Sequence, residues 1–364
     1  MKTNFKIHTS LVCIMIVMIL LVSCGKSSGA KSTKDTIPKE PEKEVLYRNP
    51  VFKPILADPT VFKDPKSEYF YAYGTEDYWS TDGKSHLVAV VKSKDLINWS
   101  LVGDAFLTKP TWKANGGIWA PDIQYINGQY YLYYSYSIWA DPNPGIGLAI
   151  ASKPEGPFVD QGKMFYSDEF GGKNCIDPFY FEDAGKKYLF VGSYNNDPGN
   201  GIYGVELSAD AKSVPDYSKK FRIAAGDFEA TVIHKRGSYY YFFGSKNNCC
   251  DGANSIYQVR VARSKSLHGP YLDKNGNDIS HGGNGSIVLQ RNSTFAGPGH
   301  NSKIITDKDG VDWVMYHGMI ASNAVIGTVN QRALMLDKVN WSSDDWPIIN
   351  DGFPSSESTS KPNF

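Results

Sequence analysis

Five cysteines in 364 residues, no excess of either charge and no apolar run long enough to cross a bilayer set the first limits on this chain. Lysine plus arginine and aspartate plus glutamate both number 38, so no global field would draw it to nucleic acid. There is no Cys-x-x-Cys pair and no zinc-ligand spacing, which argues against a zinc module. Sustained 3.6-residue periodicity between caps is also missing, which argues against a helical bundle. What the chain has in quantity is 23 Tyr, 18 Phe, 8 Trp, 34 Gly and 20 Pro. It is too aromatic for disorder and fits many short strands joined by Gly/Pro turns. The length suits two ordinary domains or one large β domain.

Lys2 and Lys6 precede an apolar run from Leu11 to Val22, short of the roughly 20 residues a spanning helix needs. The run ends Leu21-Val22-Ser23-Cys24. A charged start, an apolar middle and small residues before a cut describe a secretory signal. Cysteine directly after Leu-Val-Ser resembles the lipobox of bacterial lipoproteins. That resemblance implies a signal peptide over 1–23, a lipid on Cys24 holding the protein to a membrane, and a place in the cell envelope. Residues 24–45 are rich in Lys, Ser, Thr, Pro and Glu and read as a flexible tether. The body is read over 46–345, with a C-terminal tail over 346–364. Within the body, adjacent Cys249 and Cys250 are open to two readings, a vicinal disulfide or two small buried thiols.

The body repeats. A strand opened by a polar residue, a turn and a very aromatic strand recur five times at intervals of roughly 60 residues. Asp58-Pro59-Thr60 leads to Tyr69-Phe70-Tyr71, and Pro121-Asp122-Ile123 leads to Tyr130-Tyr131-Leu132-Tyr133-Tyr134. Asp177-Pro178-Phe179 leads to Tyr188-Leu189-Phe190, and Glu229-Ala230-Thr231 to Tyr239-Tyr240-Tyr241-Phe242-Phe243. His300-Asn301-Ser302 leads to Trp313-Val314-Met315-Tyr316. A third strand follows each copy, and several copies run into a fourth. This period and strand count predict an all-β fold, a five-bladed propeller. A β-sandwich would leave the recurrence of both halves in all five units to accident.

First strands of propeller blades line the axis, so the five opening residues converge at one end of it. Asp58, Asp122, Asp177, Glu229 and His300 would meet there. One Asp before Pro is an ordinary turn opener. Four carboxylates and an imidazole together are costly to bury without a task. One carboxylic acid and one carboxylate are what glycoside hydrolysis needs, and aromatic rings such as Trp79, Trp119 and Trp139 suit the faces of sugars.

Ala57-Asp58-Pro59, Trp119-Ala120-Pro121-Asp122, Ile176-Asp177-Pro178 and Phe228-Glu229-Ala230, in that order, resemble glycoside hydrolase family 43. The match spans about residues 50 to 345. The resemblance implies a five-bladed propeller that inverts configuration. It makes Asp58 the general base, Glu229 the general acid and Asp177 the carboxylate that orients the acid and raises its pKa. Asp122 is then substrate-binding, with Trp119 and Trp79 as sugar contacts. Gly297-Pro298-Gly299-His300-Asn301 and Cys249-Cys250-Asp251-Gly252 resemble the family's endo-arabinanases. They imply hydrolysis of α-1,5-linked arabinofuranose chains and a calcium or sodium ion, mostly water-coordinated, near His300. His317 either assists that ion or is a core histidine, the second being favoured. The implied partner is arabinan, with no nucleic acid, and the protein is expected to be a monomer. Competing readings are an exo-acting α-L-arabinofuranosidase or β-xylosidase on the same scaffold, and a glycan-binding surface lipoprotein without catalysis.

Overall fold

The computed structural model describes residues 44–195 and 197–364. The signal peptide, Cys24 and the tether up to residue 43 lie outside the described residues. Five sheets, each a meander of four successive strands on its main path, form the blades of a β-propeller. Blade 1 is Thr60–Lys63, Phe70–Tyr73, Ala89–Ser93 and Ser100–Asp104, with the short hairpin Asp77–Trp79 and Lys84–His86 inserted at its rim. Blade 2 is Gly117–Ile126, Gln129–Ser137, Gly145–Ala151 and Val159–Tyr166. Blade 3 is Phe179–Asp183, Lys186–Val191, Gly201–Glu206 and Phe221–Ala225. Blade 4 is Glu229–Arg236, Tyr239–Lys246, Gln258–Ser264 and Ser286–Leu289. Blade 5 is Phe295–Gly299, Asp312–Ile320, Ala333–Trp341 and Pro347–Ile349.

The aromatic second strands explain why the blades stack. Side chains alternate across a strand, so one strand serves two neighbours. Tyr130, Leu132 and Tyr134 pack with Tyr71 and Tyr73 of blade 1. Tyr131 and Tyr133 pack with Tyr180, Leu189 and Val191 of blade 3. Full burial of such a side chain contributes roughly 1.5–3 kcal/mol. Tyrosine suits these places because its hydroxyl reaches past the apolar layer to an acceptor. Tyr130 donates to Asp64 Oδ1 at 2.7 Å, Tyr134 to Asp160 Oδ1 at 2.6 Å and Tyr133 to the Ala211 carbonyl at 2.8 Å.

The ring closes between blades 5 and 1 without exchange of a blade strand. Tyr47–Arg48 pairs with Glu357–Ser358. Asn49 donates to the Leu336 and Ser355 carbonyls and accepts the Leu336 N–H. Phe364 packs on Phe70 with ring centroids 4.6 Å apart. The segment read as a tail from 346 is therefore part of the body. It supplies the outermost strand of blade 5 and the strap across the closure.

Candidate active site

Five residues in one register start the chain down the axis, and all five have left-handed backbone. They are Asp58 (φ 52), Ala120 (φ 43), Asp177 (φ 53), Ala230 (φ 57) and His300 (φ 48). This conformation costs a residue with a Cβ about 1 kcal/mol or more. A hydrogen bond on each backbone N–H secures it. The acceptor side chain lies in, or just past, the second strand of the preceding blade at four positions. Thr75 Oγ1 takes Ala120 N–H at 2.8 Å, Ser135 Oγ takes Asp177 at 2.8 Å and Ser245 Oγ takes His300 at 2.9 Å. His317 Nδ1 takes Asp58 at 3.0 Å. At the remaining position Ser193 has no hydrogen-bond partner for its hydroxyl among the described residues. The Asp177 carboxylate replaces it, accepting Ala230 N–H through Oδ2 at 2.9 Å.

This register corrects one expectation and refines another. Asp122 stands two residues past the left-handed position, where blade 1 has Thr60. It is buried and lines the small cavity beside the axis, not the cleft. It accepts Thr60 Oγ1 at 3.1 Å and Tyr180 N–H at 2.7 Å, and Lys303 Nζ lies 4.0 Å away, so it pins four blades at the axis. Glu229 stands one residue before the left-handed position, in register with Ala57, Trp119, Ile176 and Gly299. Trp119 thus takes in blade 2 the place Glu229 takes in blade 4, and both line the cleft. Trp79 is also corrected. It turns inward from its hairpin, is buried, and packs on Phe52 and His86 at 5.8 and 4.2 Å between ring centroids. An exposed indole beside the cleft is Trp139, 72% accessible, with its centroid 5.6 Å from that of Trp119.

Asp58, Asp177, Glu229 and His300 share one cleft of about 540 Å³. Their surroundings set different charge states. Burial alone would raise the Asp58 carboxyl, but Arg332 and then His300 outweigh it and hold Asp58 well below the ordinary carboxylate range. Arg332 Nη1 reaches both Asp58 oxygens at 3.0 Å, and Thr75 donates to Oδ2 at 2.7 Å. Asp58 is therefore a fixed carboxylate. Burial and then the neighbouring Asp177 charge raise Glu229 far above its usual range. Tyr257 donates to Glu229 Oε1 at 2.6 Å, leaving Oε2 for the acid proton. Gly299 makes room for that tyrosine, since a Cβ there would come within 2.1 Å of its ring. Asp177 is raised chiefly by burial, against the pull of His300. Burial opposes the His300 imidazolium, yet Asp58 at 3.3 Å and the other carboxylates raise its pKa.

His317 is a core histidine, fully buried. Its Nδ1 accepts a backbone N–H and so carries no proton. The 3.3 Å approach of that atom to Asp58 Oδ1 is accordingly not an ion pair. Burial, which lowers the His317 pKa to about 4, agrees with the neutral ring.

Sequence reasoning missed Arg332, Thr75 and the bond made by Tyr257. Arg332 had a signal: a cation directly before the apolar run 333–336. Thr75 had a weaker one, the polar residue that ends each aromatic strand.

The model described as glycosyl hydrolases family 43 matches residues 47–347. The chain belongs to that family. It is 34% identical over 307 residues to the extracellular endo-α-(1→5)-L-arabinanase 1 of Bacillus subtilis, covering 80% of this chain and 87% of the relative. It is 30% identical over 302 residues to the extracellular exo-α-(1→5)-L-arabinofuranosidase of Cellvibrio japonicus, covering 76% and 84%. The solved Cellvibrio cellulosa α-L-arabinanase complexed with arabinohexaose superposes with a TM-score of 0.70 at 28% identity, covering 82% of this chain and 96% of that one. This family 43 chain is a glycoside hydrolase.

Asp177→Asn separates the two tasks of Asp177. The amide oxygen can still accept Ala230 N–H, but the charge that raises Glu229 is gone. Glu229 then loses its proton at lower pH, and the alkaline limb of kcat/KM moves toward neutrality. At the pH of the former limb the loss is roughly tenfold per pKa unit. Asp177→Ala is expected to add a loss of thermal stability. A pH–rate profile and a melting curve for each variant check both parts.

Proposed function

We propose that this family 43 enzyme is an inverting, endo-acting hydrolase of α-1,5-linked L-arabinofuranose chains. The observation that carries the chemistry is the contrast between Asp58, ionised by Arg332, and Glu229, kept protonated by burial beside Asp177. Water gives a proton to Asp58 and its oxygen attacks the anomeric carbon. Glu229 donates its proton to the glycosidic oxygen as the carbon–oxygen bond breaks, and one displacement inverts the centre. Support for arabinan comes from the relatives' names. Support for chain binding comes from Trp139, an exposed ring that can stack a sugar beyond the reacting one.

A cation near His300 belongs to the same proposal. A cavity of about 20 Å³ lies under the carboxylates, lined by Asp122, Asp177, Thr231, His300 and Asn301 among others. Thr231 Oγ1 and Asn301 Oδ1 are buried there without a hydrogen-bond partner among the described residues. One imidazole and neutral oxygens fit a calcium or sodium ion that keeps most of its water. His300 would hold it through the ring nitrogen not facing Asp58. The ion would supply positive charge beside the Asp177 carboxylate. The two curated relatives are named extracellular, which supports export of this chain. A lipid on Cys24 as its tether extends that reading and is tested by membrane fractionation of Cys24→Ser.

The test is a product time course of residues 25–364 on debranched arabinan. Mixed oligosaccharides should appear first, with β-configured reducing ends by proton NMR. Arabinose as the sole early product would shift the reading to an exo enzyme. No product, with calcium and sodium present, would favour the binding-protein reading. The same course after exhaustive dialysis into a chelating buffer free of calcium and sodium should slow and recover on adding the ion back.

A further inference from the structure

The blade 4 wall of the cleft is built on bonded sulfur. Strand Tyr239–Lys246 ends beside the general acid, with Ser245 the pairing partner of Glu229. The chain then continues along the cleft as Asn247-Asn248-Cys249-Cys250. Cys249 and Cys250 are joined to each other, and both are half-buried at the cleft surface. A cross-link stabilises a fold mainly by closing a loop in the unfolded chain, and the effect grows with loop length. A link between neighbours closes almost nothing, so it is a poor staple. What it does is stiffen one peptide and present a weakly polar sulfur edge that has little freedom to lose on contact.

The loop is held in place from blade 5. Asn330 accepts Gly252 N–H at 2.8 Å and donates to the Cys250 carbonyl at 3.4 Å. Ser255 Oγ donates to the Asn248 carbonyl at 2.7 Å, closing the turn from below. The Asn330 carbonyl also accepts Arg332 N–H at 3.0 Å. The same short segment therefore fixes the sulfur wall and delivers the guanidinium that holds Asp58. Glu229 opens blade 4, and in the proposed mechanism the sugar it releases leaves on that side.

We propose that the Cys249–Cys250 disulfide is a substrate contact on the leaving-group side of the cleft, kept in place by Asn330. It sets how tightly a chain is bound, not how fast the bond breaks. This rests on the reading of the enzyme as a chain-cleaving arabinanase.

The experiment compares wild type with the Cys249→Ser/Cys250→Ser double variant on linear α-1,5-arabinohexaose. KM should rise roughly tenfold with kcat within about twofold, the pattern of lost uniform binding. Wild type treated with a phosphine should show the same rise, and this arm stands if the variant fails to fold. KM within about twofold of wild type in the treated enzyme or the folded variant would overturn the proposal. So would a fall in kcat that matches any change in kcat/KM, since that would mean a displaced Arg332 or acid. Wild type that leaves arabinohexaose uncut would instead overturn the functional reading, and this proposal with it.

Discussion

Glu229→Ala is expected to slow hydrolysis of arabinan by roughly 10²–10⁴-fold, the range a positioned general acid contributes. It should leave an aryl arabinofuranoside with a very good leaving group nearly untouched. Such a leaving group departs as a stable anion and needs no proton, so only the water attack driven by Asp58 remains. The size of the effect follows from how much of the fold is arranged around this one proton. Burial and the Asp177 charge keep the proton on Glu229 at a pH where an exposed glutamate has lost it. Tyr257, itself held protonated by burial and by Glu229, fixes the carboxyl's rotation. Steady-state rates on the two substrates decide the matter. Equal losses on both would mean that Glu229 is not the acid.

The propeller was legible because every unit carried the same two strands, and the second strand had to be aromatic to fill both inter-blade layers. Axial convergence was legible for the same reason. The exact register was not. Sequence reasoning aligned the opening polar residue of each unit, whereas the fold aligns the residue with left-handed backbone. Those coincide at Asp58, Asp177 and His300. They differ at Asp122, which became an axial pin, and at Glu229, which reaches the cleft from one position earlier. Trp79 failed for another reason. Its hairpin alternates, so Tyr78 faces solvent and Trp79 faces the core, and nothing local says which. Arg332 lies 274 residues from Asp58, and only closure of the ring between blades 5 and 1 brings them together. The vicinal disulfide was left open because two adjacent cysteines carry no signal of their bonding.

Asp58→Ala is expected to abolish turnover of both substrates, since no leaving group replaces an activated water. The loss should reach or exceed the upper end of the general-base range, roughly 10⁴-fold, on the aryl substrate as well as on arabinan. Arg332→Leu then tests why Asp58 is the base. With the guanidinium in place the Asp58 pKa lies well below the ordinary value, so the base is ionised throughout the weakly acidic range and the acid limb of kcat/KM falls below it. Without Arg332 the burial contribution that already raises Asp58 has less to oppose it. The folded pKa climbs, Asp58 takes up a proton at higher pH, and the acid limb moves upward. Linkage fixes the sign for stability as well. A carboxyl depressed in the folded state stabilises it above the unfolded pKa, and that contribution is lost as pH falls through the folded value. Removing Arg332 leaves a buried carboxylate short of its counter-charge, at a cost on the order of 3–5 kcal/mol. The variant should therefore melt earlier at neutral pH and lose part of that deficit on acidification, when Asp58 becomes neutral. An acid limb that stays in place in Arg332→Leu would show that His300 and Thr75 alone keep Asp58 charged.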